Sequence, residues 1–158
     1  MKNFFFITTI FITSLSFLNL NANAQTSATP LATLDKANPW TREQLLEPEV
    51  LATSIKNNSA DIPVIFNIGA VDDIKGAKHI GPVSDAANLE HFKKEISQLQ
   101  LNKTIVIYCG CCPFTKCPNI RPAFAELKKL GFTQIKVLNL PVNLKTNWIA
   151  KGFPLAGA

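Results

Sequence analysis

Cysteine is missing from almost all of the sequence. The four cysteines lie within nine residues, as Cys109, Cys111, Cys112 and Cys117. Because there is no cysteine elsewhere, no disulfide can join distant parts of the chain, and links inside one short loop add little stability. The adjacent Cys111 and Cys112 also have poor geometry for bonding. One or two disulfides that brace an enlarged loop stay open as an interpretation, but the crowding favours a reactive site or a metal site.

Long apolar runs are also scarce. The segment "MKNFFFITTIFITSLSFLNLNANA" has one charged residue, Lys2, then an apolar stretch, then Ala-Asn-Ala. This is the pattern of a secretory signal peptide, which we predict for residues 1–24 with cleavage after Ala24. No second apolar run of spanning length follows, which argues against a retained membrane helix. No cysteine lies near the cleavage point, so we predict no lipoprotein anchor and an exported protein, periplasmic or secreted.

The charge pattern lacks a nucleic-acid signature. The formal net charge is +5, and the loss of Lys2 with the signal peptide leaves +4. The lysines are scattered and are not interleaved with aromatic residues, so we predict no nucleic-acid partner. A mild positive charge suits a small anionic substrate but is as common for solubility. With no internal repeats, the rest of the chain predicts a flexible tail, residues 25–38, and one domain, residues 39–158.

Apolar strands alternate with amphipathic helices along this domain. The segments "IPVIFNIG", "KTIVIYC" and "QIKVLNL" predict buried strands. Helices are predicted from Pro48 to about Lys56, in "NLEHFKKEISQL", in "RPAFAELKKLGF" and, more briefly, in "NLKTNWIAKG". Their predicted buried positions include Leu51, Ile55, Leu89, Phe92, Ile96, Leu99, Phe124, Leu127 and Leu130. This alternation indicates a single α/β domain whose central sheet is mostly parallel and flanked by helices.

Four of these segments, in this order, carry a resemblance to a known family. They are "KHIGPVSDA", the strand end "IVIYC", the helix "RPAFAELKKLGF" and the closing segment "VLNLPVNLKTNWIAKGFPL". Together they resemble the rhodanese-like family of sulfurtransferases, from about Trp40 to Leu155. The resemblance implies a rhodanese-like domain that transfers sulfane sulfur from a small anionic donor, such as thiosulfate, to a thiol or cyanide. It implies no cofactor and no membrane partner after cleavage of the signal peptide.

The resemblance also implies roles for residues of the cysteine loop. By position, Cys109 matches the nucleophile that carries the persulfide, and Arg121 at the next helix start would stabilise an anion. A strand-to-helix loop also favours a thiolate, because backbone N–H groups and the helix N-terminus lower a thiol pKa. Cys117 is a rival nucleophile because it is near Arg121. Lys116 and Asn119 are predicted to bind the donor.

The sequence departs from the family at three places. Where the family has Asp-x-Arg after the first core strand, this chain has Asn67, Ile68 and Gly69. A double glycine before the last helix is replaced by Leu-Pro-Val, residues 140–142. The cysteine loop is longer than in typical members, and its two prolines have no N–H to contribute to an amide cradle around the sulfur.

Three other functions are compatible with the same loop. Cys109 to Cys112 form a C-x-x-C, in which one thiol could attack and the other resolve a mixed disulfide. A hybrid would release a persulfide as a neighbouring thiol closes a disulfide. All four thiols, Cys109, Cys111, Cys112 and Cys117, could hold Cu(I) or Zn(II). The departures from the family pattern also allow a catalytically silent interaction domain.

Overall fold

A computed structural model describes residues 38–157 of the chain. The predicted signal peptide and nearly all of the predicted tail, up to residue 37, lie outside the described residues. Within the described range, no helix combines the length and apolar character needed to cross a membrane.

The centre of the domain is a parallel sheet. Its strands are β1 (Leu45–Leu46), β2 (Val64–Asn67), β3 (Ala77–His79), β4 (Ile105–Tyr108) and β5 (Ile135–Leu138). Their order across the sheet is β1-β5-β4-β2-β3, and each neighbouring pair is parallel. The central strand β4 is buried along its whole length, as its continuous apolar sequence predicts for a strand covered on both faces.

Helices cover both faces of this sheet. They are α1 (Pro48–Lys56), α2 (Ala86–Ser97), α3 (Ile120–Lys129) and α4 (Leu144–Asn147), with 3-10 turns at Arg42–Gln44, Phe114–Lys116 and Ile149–Lys151. Residues of α2 and α3 pack in one core cluster, and those of α1 and α4 pack in the other. The predicted α/β domain with a parallel sheet flanked by helices is therefore confirmed.

Local sequence explains where the helices begin and end. The side chain of Asp85 accepts hydrogen bonds from the backbone N–H groups of Ala87 and Asn88, and so caps α2. Helix α1 begins at Pro48, whose fixed φ suits a first helical position. Gly131 follows α3 with a φ of +89°, which ends the helix as predicted.

The structure differs from the sequence prediction in three details. Strands β1 and β3 were not predicted, because each is at most three residues long, lies at a sheet edge and is only partly buried. The prediction that Leu130 is buried is wrong: it follows the last residue of α3 and is 40% exposed. The final predicted helix divides into α4 and a 3-10 turn at Trp148, whose ring is fully buried.

Candidate active site

Cys109 directly follows the central strand β4 and is only 1% exposed. The segment after the neighbouring strand β2 packs against it at Gly69. A Cβ atom at Gly69 would lie 2.3 Å from the Cys109 carbonyl oxygen and 2.8 Å from the Cys109 Sγ. These distances are too short for any side chain. Because Gly69 has no Cβ, the segment after β2 can pack directly against Cys109 at the end of β4.

Asn67 holds the segment after β2 by hydrogen bonds. It stands at the position where the family that the sequence resembles has an aspartate. Its Oδ1 accepts a hydrogen bond from the Gly69 N–H (3.1 Å), and its Nδ2 donates to the Val71 carbonyl and to Asp73 Oδ1 (both 2.8 Å). Asp73 Oδ1 also lies 3.0 Å from His79 Nδ1. The neutral side chain of Asn67 can hold this segment because its amide oxygen accepts a hydrogen bond and its amide nitrogen donates others.

Three of the four thiols form a compact cluster. The Sγ atoms of Cys109, Cys111 and Cys117 all lie within 4.8 Å of one another. The Sγ atoms of Cys109 and Cys111 are 3.2 Å apart. Cys112 is not a member of this group, and its Sγ lies 3.5 Å from that of Cys111. All four are free thiols. Cys109 therefore has Cys111 and Cys117 as close sulfur neighbours.

Asn119 holds the Cys109 sulfur in place. This buried residue precedes α3, and its Nδ2 donates to the Cys109 Sγ at 3.2 Å. Its Oδ1 accepts a hydrogen bond from the Ser84 N–H at 2.8 Å. Sequence alone predicts that Asn119 binds the substrate. The structure places it beside the Cys109 sulfur, with both ends of its amide hydrogen-bonded, and substrate binding by Asn119 stays a prediction.

The cluster makes Cys109 a thiolate at neutral pH. Hydrogen bonds donated by Cys117, then by Asn119 and Cys111, lower the pKa of Cys109 to about 5, although burial opposes this shift. Burial, followed by donation to Cys109, raises the pKa of Cys111 to about 12. Donation to Cys109, with burial, also raises the pKa of Cys117. The negative charge of the cluster therefore resides on Cys109, and Cys111 and Cys117 stay protonated as its hydrogen-bond donors.

The N-terminus of α3 acts on Cys109 through Cys117. The backbone N–H groups of Asn119 and Ile120 donate to the sulfur of Cys117, and the Cys117 thiol in turn donates to Cys109. The amides at a helix start carry partial positive charge. Cys117 is fully buried and lies between the start of α3 and the Cys109 sulfur. Its hydrogen bond stabilises the Cys109 thiolate although the two prolines of the loop have no N–H to donate.

Arg121, the predicted anion-stabilising residue, has well-defined contacts with the loop and the chain before it. Its guanidinium donates to the Thr115 carbonyl at 3.0 Å and to Asn38 Oδ1 at 2.8 Å. It also lies over the Trp40 ring, 5.6 Å from the centroid. These contacts fix the cysteine loop to the start of the domain. Direct stabilisation of a bound anion by Arg121 stays a prediction.

A cavity of about 520 Å³ adjoins the cluster. Its wall contains the exposed Cys111, and the cavity is lined by Ala70, Val71, Asp72, His79, Gly110, Cys111, Asn143, Leu144, Lys145 and Ile149. Its lysine is Lys145, at α4, whereas the predicted Lys116 is exposed in the 3-10 turn of the loop. Sequence analysis missed Lys145, because only the packing of α4 beside Gly110 brings it to the site.

We expect the replacement Asn119→Asp to raise the pKa of Cys109 by about one unit or more, because a carboxylate oxygen would replace the amide donor beside a thiolate. The new side chain keeps an oxygen for the Ser84 N–H. The measurement is the ultraviolet thiolate absorbance as a function of pH, with Cys109→Ser as the blank. The wild type should titrate near pH 5, and an unchanged midpoint in the variant would contradict the role given to the amide.

Comparisons with solved structures identify the fold. The rhodanese-like domain of the Alr3790 protein from Anabaena sp. superposes with a TM-score of 0.51 and 19% identity, over 73% of this chain and 80% of that one. The BH2092 protein from Bacillus halodurans gives 0.53 and 19%, over 72% and 76%. A protein from Lactobacillus plantarum gives 0.50 and 18%, over 72% and 87%. No family model and no curated protein matches the sequence.

Proposed function

Because the chain has a rhodanese-like fold, we propose that the protein is a sulfurtransferase that carries sulfane sulfur as a persulfide on Cys109. The observation that carries this proposal is the environment of Cys109, a buried thiol at the end of β4 with Asn119 Nδ2 and Cys111 Sγ each 3.2 Å from its sulfur. Its pKa of about 5 makes it the thiolate of the cluster at neutral pH, and only a thiolate is an effective sulfur nucleophile. Its place at the end of β4 agrees with the position expected for the family's nucleophile.

The donor half-reaction is a displacement at sulfur. The Cys109 thiolate attacks the outer sulfur of thiosulfate, the sulfur–sulfur bond of the donor breaks, and sulfite leaves with the bonding electron pair. The product on the protein is the Cys109 persulfide anion. Lys145 in the cavity lining is suited to attract such a dianion, since an ammonium group is a strong electrostatic partner for one. Lys116 and Arg121 remain predicted donor contacts.

The acceptor half-reaction returns the thiolate. A thiol or cyanide attacks the outer sulfur of the persulfide, and Cys109 leaves as a thiolate. The hydrogen bonds from Cys117 and Asn119 that stabilise this anion before the reaction stabilise it again as a leaving group. The cycle therefore balances with these two substrates and no cofactor.

The test is the intact mass of the reduced protein, freed of reductant, before and after thiosulfate. Soon after mixing, we expect a gain of one sulfur atom, lost on adding dithiothreitol, together with release of sulfite. Protein alkylated beforehand should gain no sulfur and release no sulfite. A wild-type protein that neither gains sulfur at any time after mixing nor releases sulfite would refute the proposal. Retention of Cu(I) or Zn(II) in the native mass spectrum without any sulfur gain would favour the thiolate metal site.

A further inference from the structure

The three clustered thiols differ in their exposure to the cavity. Cys109 and Cys117 are buried, whereas Cys111 is exposed and forms part of the cavity wall. We propose that Cys111 is the resolving thiol: it closes a disulfide with Cys109 and releases the carried sulfur as hydrogen sulfide. This inference rests on the proposed Cys109 persulfide. It adds a second activity, reductive release of sulfide, to sulfur transfer.

The geometry selects the Cys109–Cys111 pair. Their Sγ atoms are 3.2 Å apart, so a bond of about 2.0 Å requires only a small approach of the two sulfurs. The intervening Gly110 has a φ of +76°, which glycine adopts without strain. The Gly110 carbonyl also accepts a hydrogen bond from the Leu144 N–H at 2.8 Å. This anchored turn keeps the two sulfurs close.

The other two cysteines are less suited to resolution. Cys117 is fully buried and is engaged between the start of α3 and the Cys109 sulfur. Its attack would place the new disulfide out of reach of an external reductant. Cys112 lies outside the group formed by the sulfurs of Cys109, Cys111 and Cys117. Cys111 alone of the cluster combines proximity to Cys109 with access to the cavity.

The resolving step balances in atoms and electrons. The anionic outer sulfur takes up the Cys111 proton, and the Cys111 thiolate so formed attacks the Cys109 Sγ. The bond from Cys109 to the outer sulfur breaks, and that sulfur leaves with the electron pair through the cavity as hydrosulfide, which is in acid–base equilibrium with hydrogen sulfide. The sulfane sulfur is reduced by two electrons, and the two cysteine sulfurs are oxidised to the disulfide.

A small external thiol restores the cluster. It attacks the exposed Cys111 sulfur and expels Cys109 as the stabilised thiolate, and a second thiol then frees Cys111 and leaves as part of an external disulfide. Exchange is fastest when the leaving sulfur has the lower pKa, and within this pair that sulfur is Cys109. The external thiol therefore attacks Cys111, because Cys111 is the exposed sulfur of the pair and Cys109 is the better leaving group.

The experiment is a single turnover of the reduced protein with thiosulfate and no added thiol. We expect release of one sulfide per chain, at a rate independent of protein concentration. The variant Cys112→Ser makes the product easy to identify, because its tryptic peptide 104–116 then contains only Cys109 and Cys111. That peptide should lose two hydrogens as sulfide appears, and no internal cleavage should occur between the two cysteines in the fragment spectrum.

The variant Cys111→Ser separates this inference from the proposed function. It should still gain one sulfur from thiosulfate, but its persulfide should persist and sulfide release should fall to the background without protein. Sulfide release that survives in Cys111→Ser, or that is lost in Cys112→Ser, would overturn the assignment of Cys111. A wild-type protein that forms a stable persulfide and no disulfide would overturn it as well, while leaving the sulfurtransferase proposal intact.

Discussion

Replacement of Cys109 by serine is expected to abolish persulfide formation and to lower sulfur transfer about a thousandfold or more, since loss of a nucleophile removes the covalent route altogether. A serine hydroxyl has no low-pKa anion and cannot form the sulfur–sulfur bond. The measurements are the intact mass after thiosulfate and the rate of thiocyanate formation with cyanide. The thiolate absorbance that titrates near pH 5 should disappear with the same substitution.

The matched control for this prediction is Cys117→Ser. Its hydroxyl can still donate to the Cys109 sulfur, as the Cys117 thiol does, so the variant should keep persulfide formation. If Cys109→Ser still gained a sulfur and Cys117→Ser did not, the rival nucleophile at the start of α3 would be correct. This pair of variants therefore decides between the two cysteines that the sequence leaves open.

Replacement of Gly110 by alanine is expected to destabilise the domain by about 2 to 5 kcal/mol, from the positive φ together with steric overlap. Gly110 has a φ of +76°. Its added Cβ would lie 2.8 Å from Leu144 Cβ and 3.1 Å from Val71 Cγ2. Relief of that overlap would move α4 away from the cysteine loop. Urea unfolding at a constant m-value measures the change in free energy.

Gly76→Ala is the control for the backbone part of this cost. Gly76 has nearly the same φ, +82°, but nothing lies within 4 Å of its added Cβ. It should lose only about 1 to 2 kcal/mol, the cost of a left-handed conformation for an L-residue. Equal losses in the two variants would show that packing of Gly110 against Leu144 contributes nothing.

The parts of the fold that sequence predicts are those with long regular patterns. Buried strands such as β4 are continuous apolar runs, and α2 places Phe92 and Ile96 on one face, both fully buried. Edge strands β1 and β3 escape prediction because two or three partly exposed residues carry no pattern. Their positions are decided by pairing, of β1 with β5 and of β3 with β2, and not by a pattern of their own.

The candidate site was predictable only in outline. That the cysteines gather at a strand end and before a helix can be read from residues 105–121. Which sulfurs approach each other cannot be predicted from the spacing, because the turn at Gly110 sets the distance of 3.2 Å between the Cys109 and Cys111 sulfurs. The roles of Asn119 and Lys145 depend in the same way on contacts across the fold, with Ser84 and the cavity respectively.

The pairing of β1 with β5 has a consequence for how the protein folds. Leu45 near one end of the domain is in register with Val137 near the other, and such distant parallel pairs form slowly, because a long loop must close first. A chain emerging from the ribosome therefore cannot complete its sheet until β5 has been synthesised. The Leu144 N–H that anchors the Gly110 carbonyl follows β5 in the chain, so the contact that holds the turn between Cys109 and Cys111 forms only after the last strand has been made.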